Sequence, residues 1–441
     1  MEKQVSLISI FIPVYFNMLL SIITLMINTY MISLIDHNLV GAMGAGNQIF
    51  SLFINIFNLL AVGCSVLVSQ AIGAKDKKTA IRAVHISIML NAGLGIICSI
   101  FIFFFANLVL KLLQVPQDVF NESYKYLRII SLIFAIDATA VVLIAVIRAY
   151  GYASHTMFVS IIINIITICG NTIALFEPFG LPFFGLSGVG ISTITGRILG
   201  VCMLLFVLIK VVKIPLFISL FVNIRLYLLK KILSIGIPSA GENLIWVIQY
   251  LIAFSFVASM GSNSLTTQTI YFQISAFIFF ASSAIGIANE VIVARLVGAK
   301  ENEKAYHQSF KALKIGFLIT AIFLGVVFLN KNLIMSAFNL PNSVKELMLP
   351  LFFLSIILEF GRTQNVIMVN ALRASGDAKF PFYMGIIFMW GVSIPLGWFL
   401  GIYLEMGILG VWIGFLADEW LRGSINTLRW KSKKWQEKKL I

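Results

Sequence analysis

Seven ionisable side chains fall inside long apolar stretches of this chain: Asp137, Arg197, Glu242, Glu359, Arg362, Asp418 and Glu419. A charge held in hydrocarbon costs several kcal/mol unless it meets a partner or a water-filled cavity, so each must either pair or bind something. Glu242 stands out because it lies one turn beyond Pro238, whose missing N–H opens the backbone ladder and leaves polar groups near the carboxylate. It reads as a binding position for a cation or a proton, with an interhelical hydrogen bond as the alternative. Asp137 is flanked by LIFAI and ATAVVLIAV and needs a partner from another helix. Glu359 and Arg362 are three residues apart, a spacing that allows a local ion pair and would make Glu359 structural. Asp418 and Glu419, followed by Arg422, suit an interfacial or capping role, and Arg197 a helix-bracing one. Asn17, Asn28, Gln48 and Gln273 are uncharged polar residues that either line a cleft or hydrogen-bond between helices. Trp246, one turn after Glu242, is a candidate cleft aromatic.

Enzyme chemistry is not written here. The four histidines, His37, His85, His155 and His307, are scattered, and neither a GxxxxGK[ST] phosphate loop nor an HExxH zinc site occurs. The four cysteines fall singly without CxxC spacing, so they predict neither a disulfide framework nor a metal site, and read as packing residues. No cofactor is expected.

The elements that must position these residues are membrane helices. Of 441 residues, 60% are apolar and 11% charged, with a mean hydropathy of +0.99, against roughly 45–50% and 25% in soluble domains. Residues 7–35, 41–74, 83–110 and 380–404 contain no Asp, Glu, Lys or Arg, and about 20 such residues cross the hydrocarbon as a helix. Punctuation by Pro, Gly and charge predicts twelve helices at 6–35, 44–71, 82–110, 124–148, 155–176, 185–210, 230–260, 266–296, 308–330, 345–372, 380–402 and 406–430. The first run lacks a small-residue cleavage site and reads as a retained helix rather than a signal.

The net charge of +14 suggests nucleic acid until the cations are placed. With the N-terminus inside, 25 of the 32 Lys and Arg fall on inner segments and five (Lys111, Lys125, Arg128, Lys331, Lys345) on outer loops. That asymmetry is the positive-inside rule, and it predicts that both termini are cytoplasmic. The basic tail from Arg429 to Lys439 reads as a solvated topology anchor. Glu177, beside Pro178, belongs to an outer loop.

A constant offset of 225 residues aligns the two halves without a gap for about 150 residues. Ile12-Pro13 falls on Ile237-Pro238, Gly73-Ala74-Lys75 on Gly298-Ala299-Lys300, Pro116 on Pro341, Arg148-Ala149 on Arg373-Ala374 and Gly151 on Gly376. Six helices per repeat puts both halves in the same orientation, which predicts two six-helix lobes related by a parallel tandem repeat, with a central cleft and alternating access. The expected division is an N-terminal lobe at 1–210, a cytoplasmic linker at 211–230, a C-terminal lobe at 231–430 and a tail at 431–441. In this register Asn17 is the mate of Glu242, and Arg362 that of Asp137, an acid and a base that would meet across the cleft.

Duplicated landmarks resemble one family. VSQAIGAKDKKTA at 68–80 and VARLVGAKENEKA at 293–305, VIRAYGYASHTMF at 146–158 and ALRASGDAKFPF at 371–382, GLSGVGIST at 185–193, GILGVWIGF at 407–415 and GIPSAGENL at 236–244 are similar to the helix ends and turns of the multidrug and toxic compound extrusion (MATE) family. The resemblance covers essentially the whole chain. It implies a bacterial multi-pass protein of the cytoplasmic (inner) membrane that exports small organic compounds in exchange for Na+ or H+. The chain departs from the family where many members carry an Asp in helix 1 and this one has Asn28. It departs again in helix 10, where one branch has a carboxylate and this chain has Arg362, with Glu359 one turn earlier.

Two transport readings follow. The first is an antiporter for amphipathic or cationic compounds, with acids in an apolar cleft and aromatic and Met side chains as adaptable walls. The second is a flippase for a lipid-linked saccharide or another large amphiphile, which usually carries a more cationic cavity than this chain offers. A functional monomer in the lipid bilayer, with no nucleic-acid partner, is the simpler expectation.

Overall fold

The computed structural model describes residues 5–113, 115–176, 182, 184–222, 225–337, 340–438 and 440. Lys3, Glu177, Pro178 and Lys439 lie outside them. The chain is a succession of helices: α1 Leu7–Ser33, α2 His37–Gly73, α3 Lys77–Leu112, α4 Gln117–Ser131, α5 Phe134–Ala149, α6 Ala153–Phe176, α7 Gly185–Phe206, α8 Ile218–Val222, α9 Leu226–Ser259, α10 Ser262–Gly298, α11 Asn302–Leu329, α12 Lys331–Ala337, α13 Asn342–Ser375, α14 Lys379–Gly385, α15 Ile394–Trp398 and α16 Gly407–Lys431.

Nine helical spans among the described residues are long and apolar enough to cross a bilayer. The helix expected at 124–148 is the pair α4 and α5, bent by 50°, and makes a tenth. α13 and α16, at 34 and 25 residues, have the length of spans but carry acids and arginines that lower their hydropathy, and they complete twelve. The protein is an all-α polytopic membrane protein. Large apolar side chains point outward, Phe104 at 72% and Leu329 at 83% exposed. Only lipid makes such a surface favourable. From α14 to Tyr403 the chain alternates α-turns with wider π-turns on both sides of α15, which holds Pro395. A proline ring without its N–H favours such local rewinding.

The repeat is legible in backbone geometry. Lys75 and Lys300 both adopt left-handed φ values of 58° and 63°, and Gly151 and Gly376 values of 88° and 101°, each pair at the 225-residue offset. At the first pair α2 and α10 end and α3 and α11 begin. Gly73 and Gly298, also mates, meet where the C-terminal ends of α2 and α10 cross. A Cβ on Gly73 would fall 1.9 Å from the Arg295 carbonyl oxygen, and one on Gly298 1.9 Å from that of Gln70, Arg295's own mate. Only glycine permits so close a backbone approach.

Two compact units emerge. One comprises Phe16–Val68 and Asp76–Gly236; its core gathers Phe57, Phe134, Ile49 and Tyr126. The other comprises Val5–Tyr15, Ser69–Lys75 and Ile237–Ile441, with Tyr271, Trp412, Phe415 and Met348 at its core. The stretch expected to link two lobes, 211–230, holds α8 and the start of α9. The basic tail folds back rather than trailing in solvent. Trp435 is fully buried, stacked on Trp430 at 4.1 Å with ring planes 5° apart, and its indole N–H donates to the Trp430 carbonyl.

Candidate functional site

The charges of the second unit converge. Glu242 on α9 lies 2.9 Å from Arg373, on the last turn of α13, and 3.9 Å from Arg422 on α16. Arg373 is held there because Gly376 caps α13 in a left-handed conformation, its N–H bonding the Arg373 carbonyl at 3.0 Å. Arg422 grips Asp418 with two bonds of 2.7 Å across one helical turn and reaches Glu419 at 3.4 Å. Glu419 continues to Arg362 at 3.7 Å and accepts from the Asn365 amide at 2.8 Å. Arg362 pairs with Glu359 at 2.8 Å, and the Ser275 hydroxyl of α10 donates to the same Glu359 oxygen at 2.6 Å. Gln249 of α9 donates to Asp418 over 3.5 Å.

Four buried carboxylates thus face three guanidiniums on α13 and α16, those of Arg362 and Arg373 partly buried and that of Arg422 fully so, which leaves one negative charge in excess. Small residues let the charged helices approach: a Cβ on Gly361 would sit 2.6 Å from the Trp420 ring, and one on Gly423 3.2 Å from the Asn365 nitrogen. Buried charges in this density persist only when each is paired and hydrogen-bonded.

The first unit holds smaller polar groups. Asp137, 1% exposed on α5, lies 3.4 Å from Arg197 on α7. Its partner is therefore that arginine, while Arg362, its mate in the repeat, pairs with Glu359 and Glu419. The Asn171 amide donates to Asn28 at 2.9 Å, and the Ser192 hydroxyl donates to Asn171. Asn17 is half-buried, and its carbonyl accepts from Ser21. Gln48 and Gln273, repeat mates, are both exposed. Trp246 is half-buried and stacks on Tyr250 at 6.0 Å. The groove between α6 and α7, lined by Phe158, Ile162, Met203 and Phe206, is apolar and stands apart from every charge pair described here.

Asp418, Glu419 and Arg422 depart from the interfacial or capping role expected of them: all three are buried, at 4% exposure or less, with Arg422 as the hub. Arg373 was legible only as part of a turn, and Glu290, also buried on α10, did not figure among the intramembrane charges. The three- and four-residue spacings to Arg422 were the available signal. Cys169 and Cys202 are exposed, so only Cys64 and Cys98 pack in the interior.

The sequence model of the family described as MatE matches residues 13–173 and again 238–399. The two matches begin 225 residues apart. The chain is 35% identical over 439 residues to the "Uncharacterized transporter YisQ" of Bacillus subtilis (strain 168), covering 99% of this chain and 96% of that protein. It is 23% identical over 448 residues to the "Probable multidrug resistance protein NorM" of Thermotoga maritima, covering 100% and 95%. Among solved structures it is similar to one described as the outward-facing conformation of a multidrug resistance MATE family transporter of the MOP superfamily. There the TM-score is 0.88 at 18% identity, over 97% of this chain and 95% of that one.

Proposed function

Because this chain belongs to the MatE family of membrane transporters, which is not a family of enzymes, we propose that it is a cation-coupled antiporter. It exports amphipathic or cationic organic compounds by alternating access, in exchange for Na+ or H+. The observation that carries this reading is the charge imbalance around Glu242, Glu359, Asp418 and Glu419. An uncompensated negative charge among apolar helices is an energetic cost that a bound cation removes. A site that alternates between holding a coupling cation and releasing it has the property an antiporter requires. The curated relatives named as multidrug resistance proteins support small organic compounds as cargo. We place the protein in a bacterial cytoplasmic membrane with both termini inside, on the distribution of its Lys and Arg.

Efflux of a fluorescent organic cation from drug-pump-deficient cells, under separately imposed Na+ and proton gradients, tests it. Gradient-driven efflux that is lost in Glu242→Gln at equal expression is the expected result. No efflux under either gradient overturns it in favour of a lipid flippase or a narrow substrate.

A further inference from the structure

The apolar groove between α6 and α7 ends in a cluster of cations. Gly196 and Gly200 press α7 against α6, since Cβ atoms there would fall 2.7 Å from the Thr167 hydroxyl oxygen and 2.2 Å from the Ile163 side chain. Beside this seam runs the groove, with a volume of about 570 Å³. Buried Val159 and Val207 form its floor, and Phe158 and Phe206, both more than half exposed, its outer edges. From His155 to Ile166 along α6 it extends about 17 Å, close to the half-thickness of a ~30 Å hydrocarbon layer.

The backbone changes where the groove meets its charged end. Beyond Phe206 the chain widens into a π-turn at Val207–Val211, closed by a bond of 2.9 Å from the Val212 N–H to the Val207 carbonyl, and Lys213 then takes a left-handed φ of 63°. Such turns are rare and recur at functional sites. Lys210 lies inside the turn, next to the lining Val211, and both Lys210 and Lys213 are exposed. His155, near the start of α6, lines the same end, its ring edge-on to Tyr152 at 5.5 Å. Arg148 stands on the last turn of α5, which leads into α6. Residues 144–158 and 199–217 contain no Asp or Glu.

We propose that this groove binds one anionic phospholipid, with an acyl chain laid along the apolar channel and the phosphate held by Lys210 and Lys213. On the orientation proposed above, the lipid belongs to the inner leaflet. Neither the cargo nor the coupling ion enters the argument. Basic pockets between membrane helices on the cytoplasmic side select anionic headgroups, and the length of the groove suits a chain from one leaflet. A zwitterionic lipid brings its own cation, which offsets its phosphate at a basic rim. An organic cation meets an end with Lys210 and Lys213 and no carboxylate to receive it, so the groove is ill suited to cationic cargo. The bound chain supplies packing that α6 and α7 do not give each other along the groove. Its headgroup fixes the point where α7 passes into residues 211–230.

The test titrates the purified full chain in mild detergent with phosphatidylglycerol or phosphatidylcholine and counts retained lipid by native mass spectrometry. One phosphatidylglycerol should survive at detergent concentrations that strip phosphatidylcholine. Lys210→Gln/Lys213→Gln should weaken its binding about 25-fold, at roughly five-fold for each lysine. Lys111→Gln/Lys125→Gln, on outer loops, should leave it unchanged. Ile162→Trp, which fills the groove and keeps the cations, should abolish retention. Should that variant fail to fold, a bulky methanethiosulfonate on the groove's exposed Cys202, applied to folded Cys169→Ser protein, does the same, and phosphatidylglycerol should slow the modification. Equal retention of the two lipids, unchanged affinity in the Lys210/Lys213 variant, or equal losses from the two lysine pairs overturns the proposal. So does displacement of phosphatidylglycerol by ethidium, which would give the groove to cargo. Each of these leaves the transporter reading standing, because that reading is tested by efflux.

Discussion

Glu242 and Arg373 are 131 residues apart in the chain and 2.9 Å apart in space, each almost wholly buried. The pair ties the middle of α9 to the end of α13, and Arg422 draws both into the wider network.

Breaking that pair from one side should cost more than removing it. Arg373→Ala leaves Glu242 with only the distant Arg422, and loss of one partner of a buried pair typically costs about 3–5 kcal/mol. The double variant Glu242→Gln/Arg373→Ala should recover part of that loss. Thermal unfolding of the detergent-solubilised protein, arranged as a double-mutant cycle, measures it. Strict additivity would show that the two side chains are not coupled.

The crossing of α2 and α10 should tolerate no side chain at either glycine. Gly73→Ala and Gly298→Ala each put a methyl group 1.9 Å from a backbone carbonyl oxygen, so the helices must part in both. Equivalent losses of midpoint temperature and of transport are expected from the two substitutions. A harmless Gly73→Ala would show that the helices are not pressed together there.

The tail should contribute to stability. Trp435→Ala removes a fully buried indole stacked on Trp430, a change that in protein interiors costs about 3–5 kcal/mol. Lys433→Ala, which removes an exposed pair with Glu303, should change stability by less than about 1 kcal/mol. Comparable unfolding midpoints for the two variants would argue for a loosely held tail.

Asp76 should act as a pH-dependent cap. It precedes α3 and accepts from the Thr79 backbone N–H at 3.0 Å and from its hydroxyl at 2.6 Å. These bonds hold its carboxyl below the ordinary carboxylate range. A lowered folded-state value means that the stabilisation is present above the unfolded value near 3.9 and is lost as pH falls through the folded one. Asp76→Ala should therefore cost about 0.5–1 kcal/mol at pH 7, modest because the group is largely solvated. Wild type and variant should converge only as pH falls through the lowered folded-state value.

Much of this protein was legible in its sequence because the bilayer imposes a one-dimensional code. Run length gave the helices, and the 225-residue offset gave a repeat that the left-handed Lys75, Lys300, Gly151 and Gly376 then display in the backbone. The shortfalls are local and physical. A break at Leu132 that bends α4 against α5 follows from backbone geometry that no apolar count encodes. Partner choice was least accessible: symmetry suggested Arg362 for Asp137, whereas packing gave Asp137 to Arg197 and Arg362 to Glu359 and Glu419. Asp418, Glu419 and Arg422 look like a helix end when read along α16, and only the approach of α9, α13 and α16 through Gly361 and Gly423 turns them into the centre of a network. Hydrophobic length is a property of a segment and can be read from it. The pairing of buried charges depends on distances between segments, which the chain acquires only when its helices pack.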